Sequence, residues 1–185
     1  MLAFVAYGVV LVTLIGFAVT RHSPAARESW AHLRDVATPF ALPAAWLVAA
    51  LATLGSLYLS EIAGLDPCQL CWFQRIAMYP LFLLLGIAAL RADVYTARRY
   101  LVWFPLVGAA ISVYHYQLER FPGQPTLSCG LDAPCSIPVV NIWGFASVPF
   151  MALAAFMLIA TLLLLAREPE GVDDEPVQPA ATVSA

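Results

Sequence analysis

The sequence predicts an all-α integral membrane protein built on five spanning helices, and three observations lead there. The 185 residues are 62% hydrophobic and only 11% charged. The mean hydropathy is +0.81. Apolar runs recur at residues 2–20, 40–60, 72–90, 100–116 and 145–166. A soluble domain carries roughly a quarter charged residues. Each run approaches the about 20 residues a helix needs to cross a hydrocarbon core of about 30 Å, and in lipid a helix satisfies its own backbone. A large soluble domain has no room. The net charge of −3 carries little meaning, because five of the twelve acids lie after Leu165. All nine basic residues are arginines scattered among loops, which speaks against nucleic-acid binding.

The first run, 2–20, lacks a basic amino-terminal stretch and exceeds the about 7 to 15 apolar residues of a signal peptide, so it reads as a retained helix. Residues 21–39 form a loop in which Ser23-Pro24 suits a helix start, and Trp30, Leu33 and Ala37 follow at helical spacing. A short interfacial helix or an ordinary connection both suit that segment. The run 40–60 is the second span. Asp66 and Pro67 then read as N-cap and first residue of the third span, placing Cys68 and Cys71 in its opening turns. The run 100–116 is short and polar-ended. After the fifth run, the acidic, proline-rich tail 167–185 cannot bury enough apolar surface to order itself.

Arginine placement sets an expected orientation. Arg21, Arg27, Arg34, Arg91, Arg98, Arg99 and Arg167 flank the spans on one side, against Arg75 and Arg120 on the other. The positive-inside rule makes the arginine-rich side cytoplasmic. The amino terminus and both cysteine loops then lie outside, where disulfides persist, and the carboxyl terminus lies in the cytoplasm.

All four cysteines fall in those two loops, Cys68 with Cys71 and Cys129 with Cys135. The two-residue spacing of the first pair lets a disulfide open and close within one helical turn. A helix amino terminus favours thiolate over thiol. Arg75, four residues beyond Cys71, lies on the same helical stripe. It can snorkel or hold a carbonyl, or it can stabilise a thiolate and the charge developing on an oxygen of a reducible ligand. Cys129 and Cys135 enclose Gly130 and Pro134, a stretch able to turn back on itself. That pair can be reactive or a static staple. A four-thiolate zinc site is a further reading. Covalent haem is disfavoured because Trp72, not histidine, follows Cys71.

The stretch Pro67-Cys68-Gln69-Leu70-Cys71-Trp72-Phe73-Gln74-Arg75-Ile76-Ala77-Met78-Tyr79-Pro80 resembles the signature of the DsbB/BdbC family of membrane thiol:quinone oxidoreductases. Cys129-Gly130 to Pro134-Cys135, followed by Asn141 to Pro149, resembles its short-loop BdbC-like branch. The resemblance covers about residues 40–166. In the related vitamin K epoxide reductase family the loop cysteines precede the CxxC, the reverse of this order. The resemblance implies a four-helix transmembrane bundle, to which 1–20 adds an amino-terminal transmembrane helix, in a bacterial cytoplasmic (inner) membrane.

It also implies a reaction. Such proteins reoxidise an exported thioredoxin-like dithiol oxidase of the DsbA/BdbD kind and pass two electrons to membrane quinone, either ubiquinone or menaquinone. In the family's best-known relay the oxidase lies near about −120 mV, and an ordinary structural disulfide lies below about −300 mV, roughly 8 kcal/mol short of recharging it. An external oxidant is needed. By resemblance, Cys129 would take the mixed disulfide and free Cys135. Electrons would pass to Cys68 and Cys71, and Cys71 would be the cysteine that reacts with quinone. Arg75 would bind a quinone oxygen. His115, seven residues before Pro122, resembles a family histidine near the quinone, although a lone histidine at a helix end is often merely interfacial. The five-residue second loop, the extra first helix and Gln74 in place of an acid found in some members are departures from the pattern.

Overall fold

The structure, a computed structural model, describes residues 2–20, 24–122, 129, 135–138, 140–142 and 144–167. The tail beyond Arg167, the Ser23 cap and the residues enclosed by the second cysteine pair lie outside them. Five helical segments among the described residues are long and apolar enough to cross a membrane.

Helix α1 (Leu2–Thr20) is apolar all round. Helix α2 (Pro24–Leu57) runs for 34 residues, about 51 Å at 1.5 Å per residue. The segment before residue 40, read from sequence as a loop or a separate interfacial helix, is therefore the opening of α2. It packs on α1: the Trp30 ring lies against Gly16, where a side chain would collide with it, and Arg27 Nε donates to Thr20 O at 2.8 Å. At its far end α2 widens into a π-helical turn, Tyr58–Ile62. Gly64, at φ 65°, then turns the chain so that Leu65 N–H reaches back to Leu59 O at 3.0 Å.

Helix α3 (Gln69–Arg91) starts two residues later than Asp66 and Pro67 suggest, because Cys68 is itself the cap. It closes on Ala92 in the left-handed region at φ 51°, with Asp93 N–H bonded to Ala88 O at 2.9 Å. Asp93 caps the next turn, α4 (Val94–Thr96), by accepting Thr96 N–H at 2.9 Å. A π-helical turn, Ala97–Leu101, leads into α5 (Trp103–Arg120). That helix runs a full turn past the apolar run at 116. Strands β1 (Asn141–Ile142) and β2 (Ala146–Ser147) pair antiparallel around Gly144 at φ 77°, a small addition to the all-α expectation. The pairing delays α6 to Val148–Leu165, with Pro149 in its first turn.

Helices α2, α3, α5 and α6 enclose one apolar core that includes Ala45, Ala49, Leu81, Leu85, Phe156, Ile159 and Leu163, all fully buried. Helix α1 stands outside it, packed on α6 and α2 through faces that bury Ala6 and Val10. Gly108 receives the Phe156 ring and Gly86 faces the Trp46 indole, approaches that a side chain would obstruct, whereas Gly55 faces open space. The two ends of the bundle differ in character. At one, Arg34 Nε donates to Leu165 O (3.2 Å) and Arg98 Nη1 to Ala166 O (3.4 Å). These cations meet the carbonyl end of α6, where its dipole favours them. The other end carries the cysteines.

Candidate redox site

Cys68 stands at the entrance of α3 with extended backbone angles (φ −65°, ψ 169°). Its Sγ accepts the Cys71 backbone N–H at 3.4 Å, so the sulfur takes the role usually filled by a serine or aspartate oxygen. Cys68 and Cys71 are free cysteines whose Sγ atoms lie 2.9 Å apart. On the opposite side His115, on α5, approaches Cys68 Sγ through Nε2 at 3.6 Å. The hydrogen bond from the Cys71 thiol holds the Cys68 thiol well below the ordinary cysteine range. It outweighs burial, which acts the other way, and His115 adds to the lowering.

His115 differs from the interfacial histidine that its sequence position suggested. Because α5 continues to Arg120, His115 lies more than a turn inside the helix and is only 3% exposed. Its Nδ1 is buried without a hydrogen-bond partner among the described residues. An orphaned ring nitrogen in an apolar place is costly unless something polar is meant to meet it.

Cys129 and Cys135 are joined in a disulfide with Cα atoms 5.8 Å apart. Four free thiolates are therefore not gathered, and the four-cysteine zinc site has no place here. Cys135 is buried and Cys129 partly exposed. Cys135 belongs to one apolar cluster with Cys68, Leu70 and Leu118, against which Cys71, Ile111, Tyr114 and Cys129 pack. The chain thus folds its two cysteine pairs against each other, although 57 residues of sequence lie between Cys71 and Cys129. The β1–β2 turn behind the disulfide is tied to the bundle by Tyr116 Oη, which donates to Phe145 O at 3.3 Å. Tyr7 of α1 donates to Phe150 O at 3.0 Å in a cluster of Phe4, Tyr7, Tyr116, Phe145 and Phe150.

Arg75 lies one turn beyond Cys71 and is only 9% exposed. Its Nε donates to Ser56 Oγ at 2.9 Å and its Nη2 to Ser56 O at 3.0 Å, both on α2. The guanidinium also lies over the Trp72 ring, 5.2 Å from its centre. Holding a carbonyl is thus part of what this arginine does. Two of its five N–H groups are engaged by Ser56.

Ser56 escaped functional notice in the sequence, where it reads as a small residue suited to helix packing. So did Ser112, which accepts the Gln74 amide at 3.0 Å and donates to Gly108 O at 2.8 Å within the buried interior. Lone serines inside apolar runs were the available signal, but their partners lie on other helices and leave no spacing to read.

Residues 38–166 match the family model described as "Disulfide bond formation protein DsbB". The chain is 45% identical over 127 residues to disulfide bond formation protein C of Bacillus subtilis, covering 68% of this chain and 91% of that protein. It is 46% identical over 126 residues to the probable disulfide formation protein C of Halalkalibacterium halodurans, covering 66% and 90%. A probable disulfide formation protein of Coxiella burnetii is 41% identical over 129 residues, covering 69% and 87%. No solved structure matches. Helix α1 lies wholly outside the matched region.

Proposed function

The chain belongs to the DsbB family of disulfide bond formation proteins, and on that premise we propose that it oxidises an exported thioredoxin-like dithiol and delivers the electrons to membrane quinone. One observation carries the reading: a disulfide and a dithiol share a single buried cluster, with a buried histidine and a buried arginine beside the dithiol.

The chemistry runs by exchange. A thiolate of the partner attacks Cys129, the more exposed sulfur of its pair, and releases Cys135 as thiolate. The partner's second thiol then displaces Cys129 and leaves with its own disulfide, so two electrons now reside on Cys129 and Cys135. Cys135 is packed in the cluster that holds Cys68 and Cys71, the arrangement needed for exchange with their disulfide. That second exchange restores the Cys129–Cys135 bond and leaves Cys68 and Cys71 as thiols. His115, with Nε2 3.6 Å from Cys68 Sγ, can hold that sulfur as a thiolate until the pair is oxidised again.

The donor set suits a quinone. Its two carbonyl oxygens call for hydrogen-bond donors in an apolar place, which the remaining N–H groups of Arg75 and the unpartnered Nδ1 of His115 can supply. When bound, quinone accepts two electrons and two protons. Arg75 would hold one of its oxygens, and Cys71, one turn from Arg75, would be the sulfur that reacts with it. The positive-inside pattern supports placing this end of the bundle outside the cell, where a partner and oxidising conditions are found.

The test is direct. Purified protein should oxidise a reduced thioredoxin-like dithiol with consumption of quinone, and Cys71→Ser and Arg75→Ala should each remove most of that activity. Full rates in both variants would overturn the proposal.

A further inference from the structure

The dithiol and His115 together also approach the arrangement of a metal site. Cys68 Sγ, Cys71 Sγ and one nitrogen of His115 all lie within 4.8 Å of one another. With Zn–S near 2.3 Å and Zn–N near 2.0–2.1 Å, the edges of a tetrahedron are about 3.8 Å between two sulfurs and about 3.6 Å between sulfur and nitrogen. The Cys68–His115 separation of 3.6 Å already equals the second. The sulfur pair, at 2.9 Å, has to open by about 0.9 Å, within reach of a rotation at Cys71 χ1. The surroundings support thiolate ligands as well. Cys68 Sγ accepts a backbone N–H, and a metal-bound sulfur is held by such bonds. The ring sits in a buried, preset orientation.

From this geometry we infer that the reduced Cys68–Cys71 pair together with His115 binds one soft divalent cation of the Zn2+ class, in a site that exists only while the pair is reduced. Binding exchanges thiol hydrogen for the metal: Cys68 and Cys71 both ligate as thiolates, the displaced proton passes to solvent, His115 binds through neutral Nε2, and no electrons move. Three protein ligands leave a fourth position for water. Formation of the Cys68–Cys71 disulfide removes both sulfur ligands, so oxidation expels the metal. Conversely, metal on both sulfurs withholds them from any oxidant, and the site becomes a brake on reoxidation. The inference rests on the geometry of the cluster and is independent of the quinone proposal.

The experiment uses the full-length protein in detergent, reduced without oxygen and titrated with Co2+ as a spectroscopic stand-in for Zn2+. One Co2+ per chain is expected, with the intense visible bands of tetrahedral coordination and a thiolate-to-cobalt charge-transfer band. Zn2+ should displace it. The spectrum should persist in a Cys129→Ser/Cys135→Ser double variant, which separates this site from a four-cysteine site. It should vanish in Cys68→Ser and after oxidation of the pair. His115→Ala should weaken binding by more than about tenfold, and His115→Phe, which keeps the ring volume, should do the same should the alanine variant fold poorly. Uptake below one ion per chain, affinity unchanged in both histidine variants, or loss of binding in the double variant would each overturn the inference. None of these readouts depends on quinone.

Discussion

Ser56→Ala isolates what orients Arg75. The substitution deletes the hydroxyl that accepts Arg75 Nε at 2.9 Å but leaves the Ser56 carbonyl that accepts Nη2 at 3.0 Å. A hydrogen bond to a charged group contributes about 1.5–3 kcal/mol. Because the backbone bond survives and still holds one edge of the guanidinium, the lower end applies, about 1.5 kcal/mol, or roughly tenfold in the step that uses Arg75. Global stability should barely move, since alanine favours the helix by about 0.5 kcal/mol over serine and offsets part of the lost bond. The loss should therefore appear as a rise in quinone KM or a fall in the quinone-dependent rate. The exchange between a partner dithiol and Cys129–Cys135, followed anaerobically without quinone, should stay within twofold. Arg75→Lys keeps the charge, loses the two-pronged grip, and should be worse than Ser56→Ala. If Ser56→Ala leaves quinone kinetics within twofold while Arg75→Ala abolishes them, Ser56 does not position the arginine.

Other expectations follow from the packing. Gly108→Ala would place a methyl group in the fully buried Phe156 ring, an overpacking cost of about 1–3 kcal/mol, seen as a lower midpoint in detergent unfolding; an unchanged midpoint would mean α5 and α6 are less tightly joined. Ala92→Gly relieves a left-handed residue at φ 51° and should raise stability by about 1 kcal/mol with activity unchanged, and a destabilised variant would contradict that backbone conformation. A reporter fused after Ala185 should work only if it is of a kind active in the cytoplasm. Activity there of a reporter that requires export would reverse the orientation.

The number of spans was legible in the sequence because lipid demands a uniform signal: every segment facing hydrocarbon must be apolar for most of its length. Helix ends obey other rules. The opening of α2 carries Arg27, Glu28, His32, Arg34 and Asp35, which hydropathy reads as a loop although these residues accept a helix, and only its packing on α1 and α6 shows that it continues. Asp66 and Pro67 have the right chemistry to begin α3, yet the sulfur of Cys68 captures the Cys71 N–H first. The CxxC and Arg75 were readable because their relation is local, four residues along one helix. That His115 meets Cys68 across 47 residues, or that Ser56 holds Arg75, depends on how helices face one another, and a single sequence holds no record of that.

The sulfur cap at the head of α3 has one more implication. A thiolate accepts the Cys71 N–H strongly, whereas a sulfur engaged in a disulfide accepts poorly, so each change in oxidation state tightens or frays the first turn of a membrane-spanning helix. Electron count becomes a mechanical variable of the backbone, and the amide of Cys71 its gauge.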